Sequence, residues 1–167
     1  MENQTIMIIM GVVTVGILLL YFFFTQNYDN GEVIQVLDAD TIIVRTKRYK
    51  KKKMRLIGVD SPERSNNIFK FNPAYARHAD KFVRRRLKPG TPIYLDYDKK
   101  KFDQYGRLLA YLYVRKTGRC LNEDLLRKGY GVVQKDRYNK RLIKKFMKIE
   151  AEAKRERRGV WSRGPRL

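Results

Sequence analysis

The chain has one cysteine and one histidine among 167 residues, and few acids. A lone Cys120 cannot form an intrachain disulfide, so cysteine usage says nothing of the redox compartment. With one histidine beside it, there is no basis for a zinc site of the usual sulfur and imidazole ligands. Acids number 17 against 38 Lys and Arg, a formal net charge of +21. That excess chooses no fold, but it favours a polyanionic partner, either nucleic acid or an anionic membrane face, and strongly salt-dependent binding. The apolar fraction of 43% argues against a wholly disordered basic tail. The length allows one domain with a real core and is too short for two.

Residues 6–24 form an uncharged, almost wholly apolar run of 19 residues. As a helix rising about 1.5 Å per residue, it is just long enough to cross a hydrocarbon core of about 30 Å. No Lys or Arg precedes it, and no small-x-small cleavage pattern follows at Phe23-Phe24-Thr25-Gln26, so a retained anchor is favoured over a cleaved signal peptide. The first basic residue after it is Arg45, so flanking charge does not orient the segment.

The rest of the chain predicts an α+β domain. Strands are expected at residues 32–37, 41–44, 53–59, 91–97 and 108–114, the number in an OB barrel. Three helices accompany them. Asn72-Pro73 starts the first and Lys88-Pro89-Gly90 stops it. Asn122-Glu123-Asp124 opens the second, which ends near Gly129. The third spans residues 140–158, with Leu142, Phe146, Ile149 and Ala153 as its core stripe.

Acids and arginines gather in three short segments. These are Asp38-Ala39-Asp40-Thr41, Arg55-Leu56-Ile57-Gly58-Val59-Asp60-Ser61-Pro62-Glu63 and Asp103-Gln104-Tyr105-Gly106-Arg107. Cutting a phosphodiester needs a hard cation, a base and stabilisation of charge on the phosphoryl oxygens. Asp40 and Asp60 are candidate oxygen ligands and Glu63 a candidate base for water. Arg55 and Arg107 are candidate forks for phosphate. In a chain this rich in charge, surface ion pairs are the competing reading of the same residues.

From Gly31 to Trp161 the chain resembles the staphylococcal-nuclease family. The three segments carry the resemblance, joined by Leu121-Asn122-Glu123-Asp124-Leu125-Leu126-Arg127-Lys128-Gly129, Ala151-Glu152-Ala153-Lys154 and Gly159-Val160-Trp161. The resemblance implies a five-stranded OB barrel with three helices and Ca²⁺-dependent hydrolysis of DNA or RNA to 3′-phosphate products. It also implies roles. Asp40 and Asp60, with the Ser61 carbonyl, would bind one Ca²⁺; Glu63 would be the general base; Arg55 and Arg107 would clamp the scissile phosphate; and Tyr105 would lie near the nucleotide phosphates. Three departures stand out. Ala39 replaces a frequent glycine, adding strain if that turn needs positive φ. Gln104 replaces a lysine, and Lys135 stands near where a nucleotide-stacking tyrosine is expected, with Tyr138 a possible substitute.

The expected organisation is therefore an N-terminal flank (1–5), a transmembrane anchor (6–24), a linker (25–30), a staphylococcal-nuclease-like domain (31–162) and a basic tail (163–167). The partners are nucleic acid and, through the N-terminal helix, a lipid bilayer. No protein partner is implied, and a monomer is assumed. The side of the membrane is open; abundant calcium outside the cell favours an extracytoplasmic domain. Two other classes remain: a tethered OB-fold module that binds nucleic acid without cutting it, and a structural protein whose basic face holds a membrane. The stretch 45–55, with eight Lys or Arg in eleven residues, suits a phosphate-tracking groove or an anionic membrane.

Overall fold

The computed structural model describes residue 7 and residues 10–17, 28–62 and 73–162. Glu63, the tail at 163–167 and residues 6, 8–9 and 18–24 of the apolar run lie outside the described residues. Residues 10–17 are helical; among the described residues no helix is long and apolar enough to cross a membrane.

The chain closes a five-stranded barrel. β1 (Tyr28–Asp38), β2 (Thr41–Thr46) and β3 (Lys52–Leu56) form an antiparallel meander. β5 (Pro92–Asp96) pairs with the other edge of β1, and β6 (Leu108–Val114) follows β5. Parallel pairing of β3 with β6, Arg55 opposite Leu109, shuts the cylinder. Alternation drives this: Ile42, Val44, Met54 and Leu56 point inward and are almost wholly buried. β1 carries two register shifts against β2, after Val33 and after Val36, which bend it round the barrel. Its pairing starts at Tyr28 opposite Asp96, so residues 28–30, read as the end of the linker, belong to the sheet.

Two expectations for strands change. The run 53–59 is not one strand, because Ile57-Gly58 is a turn. Beyond it β4 (Val59–Asp60) leaves the barrel and pairs with β8 (Val132–Val133). Gly58 has φ +74°, and a Cβ there would lie 2.9 Å from the Phe146 ring. The short β7 (Arg119–Cys120) extends β6. The Asp38-Ala39-Asp40-Thr41 turn carries no strain: Arg157 is the one non-glycine with positive φ among the described residues, and Ala39 is buried.

α1 (Pro73–Arg86) lies against β1 and sends Ala79, Val83 and the following Leu87 into the core. α2 (Leu121–Lys128) ends at Gly129 as expected. Asn122 does not cap it. Its buried amide accepts from the Leu112 N–H at 3.1 Å and donates to the Ile57 carbonyl at 2.8 Å, tying α2 to the turn after β3. α3 (Ile143–Arg155) is shorter than residues 140–158. Asp98 accepts the Arg141 N–H at 3.0 Å, and Arg141 pairs with Asp96, which fixes the preceding turn. Leu142 therefore precedes the helix, and Ile143 joins Phe146, Ile149 and Ala153 as the buried stripe.

Gly58 and Gly90 separate backbone strain from crowding. Gly90 has φ +81° with open space around it. Gly90→Ala is expected to cost about 1 kcal/mol, and Gly58→Ala, which adds the clash with Phe146, about 2–3 kcal/mol. Urea unfolding of the two variants checks this; equal costs would remove Phe146 from the account.

Candidate active site

Three pieces of backbone meet around the Arg55 guanidinium. The turn between β1 and β2 supplies Asp40, β3 supplies Arg55, and β4 supplies Asp60. The Asp40 carbonyl accepts the Leu56 N–H at 2.9 Å, which pins the turn to the end of β3. The Asp40 side chain is almost wholly buried. Its Oδ2 accepts from the Ser61 N–H and the Ser61 hydroxyl, each at 2.8 Å. Its Oδ1 accepts from the Thr41 hydroxyl and from Arg55 Nη1, each at 3.0 Å. The second nitrogen of Arg55, Nη2, donates to Asp60 Oδ1. One guanidinium thus bridges two carboxylates. Burial raises the Asp60 carboxyl above its ordinary value; the Arg55 charge opposes this, and the nearby Asp40 charge reinforces it.

Arg107 is held differently. The turn before β6 folds around Asp103, whose Oδ1 accepts the N–H groups of Tyr105 and Arg107 at 2.9 Å. Its Oδ2 accepts from Arg107 Nε at 2.6 Å. Burial opposes ionisation of Asp103, yet these bonds, those from Arg107 foremost, hold its carboxyl below the ordinary value. Tyr105 is 74% exposed, and the Arg107 guanidinium lies 5.4 Å from the centre of its ring.

Arg55, Arg107 and Tyr105 line one open cleft of about 510 Å³, together with Thr41, Lys52 and Lys53. Of the residues predicted for the site, Asp40, Arg55, Asp60 and Ser61 form one bonded cluster, and Arg107 and Tyr105 face the same cleft as Arg55. Glu63, in the third residue after Asp60, lies outside the described residues. The sequence reading missed Asp103 as the anchor of Arg107 and Thr41 as a donor to Asp40. Both stand in the quoted motifs, and their i, i+4 and i, i+1 spacings were the available signal. Tyr138, the substitute for the stacking tyrosine, is half exposed, with the Lys100 ammonium 5.0 Å from its ring centre. Cys120 is buried, and burial pushes its thiol up to about 12, which leaves it inert.

The donor set suits a hard cation. Two carboxylates sit close enough to share one guanidinium, and all-oxygen ligation is the chemistry of Ca²⁺ or Mg²⁺. Among the described residues no group of three or more His, Cys, Asp or Glu could hold a metal, so from these residues a complete set would draw on backbone carbonyls or water besides Asp40 and Asp60. Chemically, the cleft offers two fixed guanidinium groups for an anion, beside carboxylates able to hold a cation.

Comparison with known proteins bears on this arrangement. A family model described as "Staphylococcal nuclease homologue" matches residues 53–163. The chain is 34% identical over 136 residues to a thermonuclease of Staphylococcus hyicus, covering 81% of this chain and 78% of that one. It is 32% identical over 159 residues to an uncharacterised protein of Methanocaldococcus jannaschii, covering 84% and 75%. A probable endonuclease of Schizophyllum commune is 31% identical over 124 residues, which are 68% of this chain and 41% of that longer protein.

The Asp103 knot yields a pH-dependent expectation. A carboxyl whose folded pKa is depressed contributes stability above its unfolded pKa and loses it as pH falls through the folded value. Asp103→Asn is expected to cost about 1–2 kcal/mol near neutral pH. The gap from the parent should close as pH drops below the ordinary aspartate range. Urea unfolding across that range tests it, and a gap that did not change with pH would remove the charge from the explanation.

Proposed function

The chain belongs to the staphylococcal-nuclease family and is a phosphodiester-hydrolysing nuclease; from that premise we propose that it is Ca²⁺-dependent, cleaves DNA or RNA to 3′-phosphate products, and is tethered to a membrane by residues 6–24. The carrying observation is the convergence of Arg55 and Arg107 on one cleft, with Asp40 and Asp60 gripping Arg55 at its wall.

Each residue then has a task. Asp40, Asp60 and the Ser61 carbonyl hold the cation, which supplies positive charge against the phosphate when bound. Ser61 and Thr41 fix the Asp40 carboxylate through three of its four hydrogen bonds. Arg55 and Arg107 bond the phosphoryl oxygens, where negative charge grows as water attacks in line. Asp103 keeps Arg107 aimed through its ion pair. Glu63 takes the proton of the attacking water. Tyr105 stands beside Arg107, where it would lie near the nucleotide phosphates.

Support for the tether lies in the run itself. Its helical part, residues 10–17, leaves Met10, Val12, Val13, Val15 and Ile17 exposed, uncovered by the domain. The one hydroxyl there, on Thr14, is turned back to the carbonyls of Met10 and Gly11 at 2.8 and 2.9 Å, which satisfies it without water. Calcium is plentiful outside the cell, which favours an extracytoplasmic domain.

A cleavage assay, two variants and a membrane wash test the reading. With calcium the full chain should cut DNA, and a chelator should abolish the cutting. Arg107→Lys should lower kcat by about 10²–10³ with the fold intact. Glu63→Gln should lose most of its activity; cleavage at the parent's rate would strike Glu63 from the mechanism, and calcium-independent binding without cleavage would return the non-catalytic module. For the tether, the chain should stay in the membrane pellet through an alkaline carbonate wash, and its release would sink that part.

A further inference from the structure

The cleft carries more positive charge than the reaction centre uses. Arg55 and Arg107 are each held by carboxylates. Lys52 and Lys53 line the same cleft, and among the described residues no carboxylate pairs with the ammonium of Lys51, Lys52 or Lys53. Asp38 is the one acid of the lining among the described residues.

Strand alternation sorts these lysines. Met54 and Leu56 of β3 face the barrel core and are buried, so Lys53 and Arg55 share its outer face. Lys51, exposed and just ahead of the strand, has the same parity. Residues of one face repeat every ~6.6–6.8 Å along a strand, which is comparable to the separation of successive phosphates in one extended polynucleotide. Lys52 is different: it is half-buried, with its ammonium 5.6 Å from the centre of the Phe102 ring. Tyr49, in the turn before β3, stacks edge-on against the same ring at 5.7 Å, so the base of the hairpin that presents the lysines is packed.

We propose that the outer face of β3 is a phosphate ladder for single-stranded nucleic acid. Arg55 stands at the scissile phosphate, Lys53 at the next and Lys51 at the one beyond. The inference rests on the nuclease reading for the position of the scissile phosphate. It assigns Lys53 and Lys51 to substrate binding and makes the enzyme prefer long strands to dinucleotides.

The test uses the full chain and a fluorescent single-stranded decathymidylate with calcium chelated, so that binding is read without cleavage. Kd is measured over a series of salt concentrations for the parent, for Lys51→Gln with Lys53→Gln, and for Arg115→Gln with Lys116→Gln. The last pair removes the same charge from exposed positions in the turn after β6. Each phosphate contact to a single strand adds about 0.7 to the slope of log Kd on log salt. The ladder variant should therefore lose about 1.4 of slope, and roughly ten- to thirty-fold in affinity near 0.1 M salt. The control should keep its slope. Equal losses in both variants would overturn the ladder in favour of diffuse charge. An unchanged slope, with lost preference for phosphatidylserine over phosphatidylcholine vesicles, would overturn it in favour of a membrane surface. Because the assay needs no chemistry, a parent that fails to cut with calcium yet shows the slope change refutes the catalytic reading and leaves the ladder standing. A parent that cuts, with no slope change in the ladder variant, does the reverse.

Discussion

One guanidinium organises the site. Arg55 reaches Asp40 with one nitrogen and Asp60 with the other, and in doing so ties the first hairpin turn to the short strand that leaves the barrel. A bridge of this kind contributes little net stability, because desolvating three charges offsets their attraction; its value is geometric. Removing either carboxylate leaves a charge mismatch in a half-buried setting. The Asp40 carboxylate is further fixed by Ser61 and Thr41, so the position of Arg55 is inherited from groups that are themselves tied to backbone. The proposed catalytic constellation and the local fold are therefore one network.

A second layer supports it from behind. Gly58 allows the turn that carries the chain from β3 to β4, and Phe146 of α3 packs directly against that turn. Asn122 of α2 binds the Ile57 carbonyl in the same turn and a β6 amide besides. The two C-terminal helices thus hold the loop that aims Asp60, although neither contributes a side chain to the cleft lining.

Much of this was legible in the linear sequence because its signals are local. β2 and β6 follow from alternation and β-branched content, the α1 boundaries from proline and glycine punctuation, and the acid and arginine segments are contiguous. What was not legible depends on distant partners. Residues 53–59 read as one strand, and the break at Ile57-Gly58 is set by Asn122 and Phe146, more than sixty positions away. Asn122 reads as a helix-starting residue, yet it is spent on barrel backbone. Leu142 fits the helical stripe, yet Asp96 and Asp98 capture Arg141 and delay the helix by a turn. The double grip of Arg55 likewise follows from no spacing rule, since it needs the barrel closed.

That closure has a consequence in time. Arg55 lies on the seam where β3 meets β6, and its partner across the seam, Leu109, is made only after α1 and β5. A growing chain possesses Asp40, Arg55 and Asp60 long before it can bring Arg107 beside them. Parallel seams between distant segments also form late and slowly in folding. In the proposed mechanism both arginines are needed, so a chain not yet synthesised past the last barrel strand lacks the complete site.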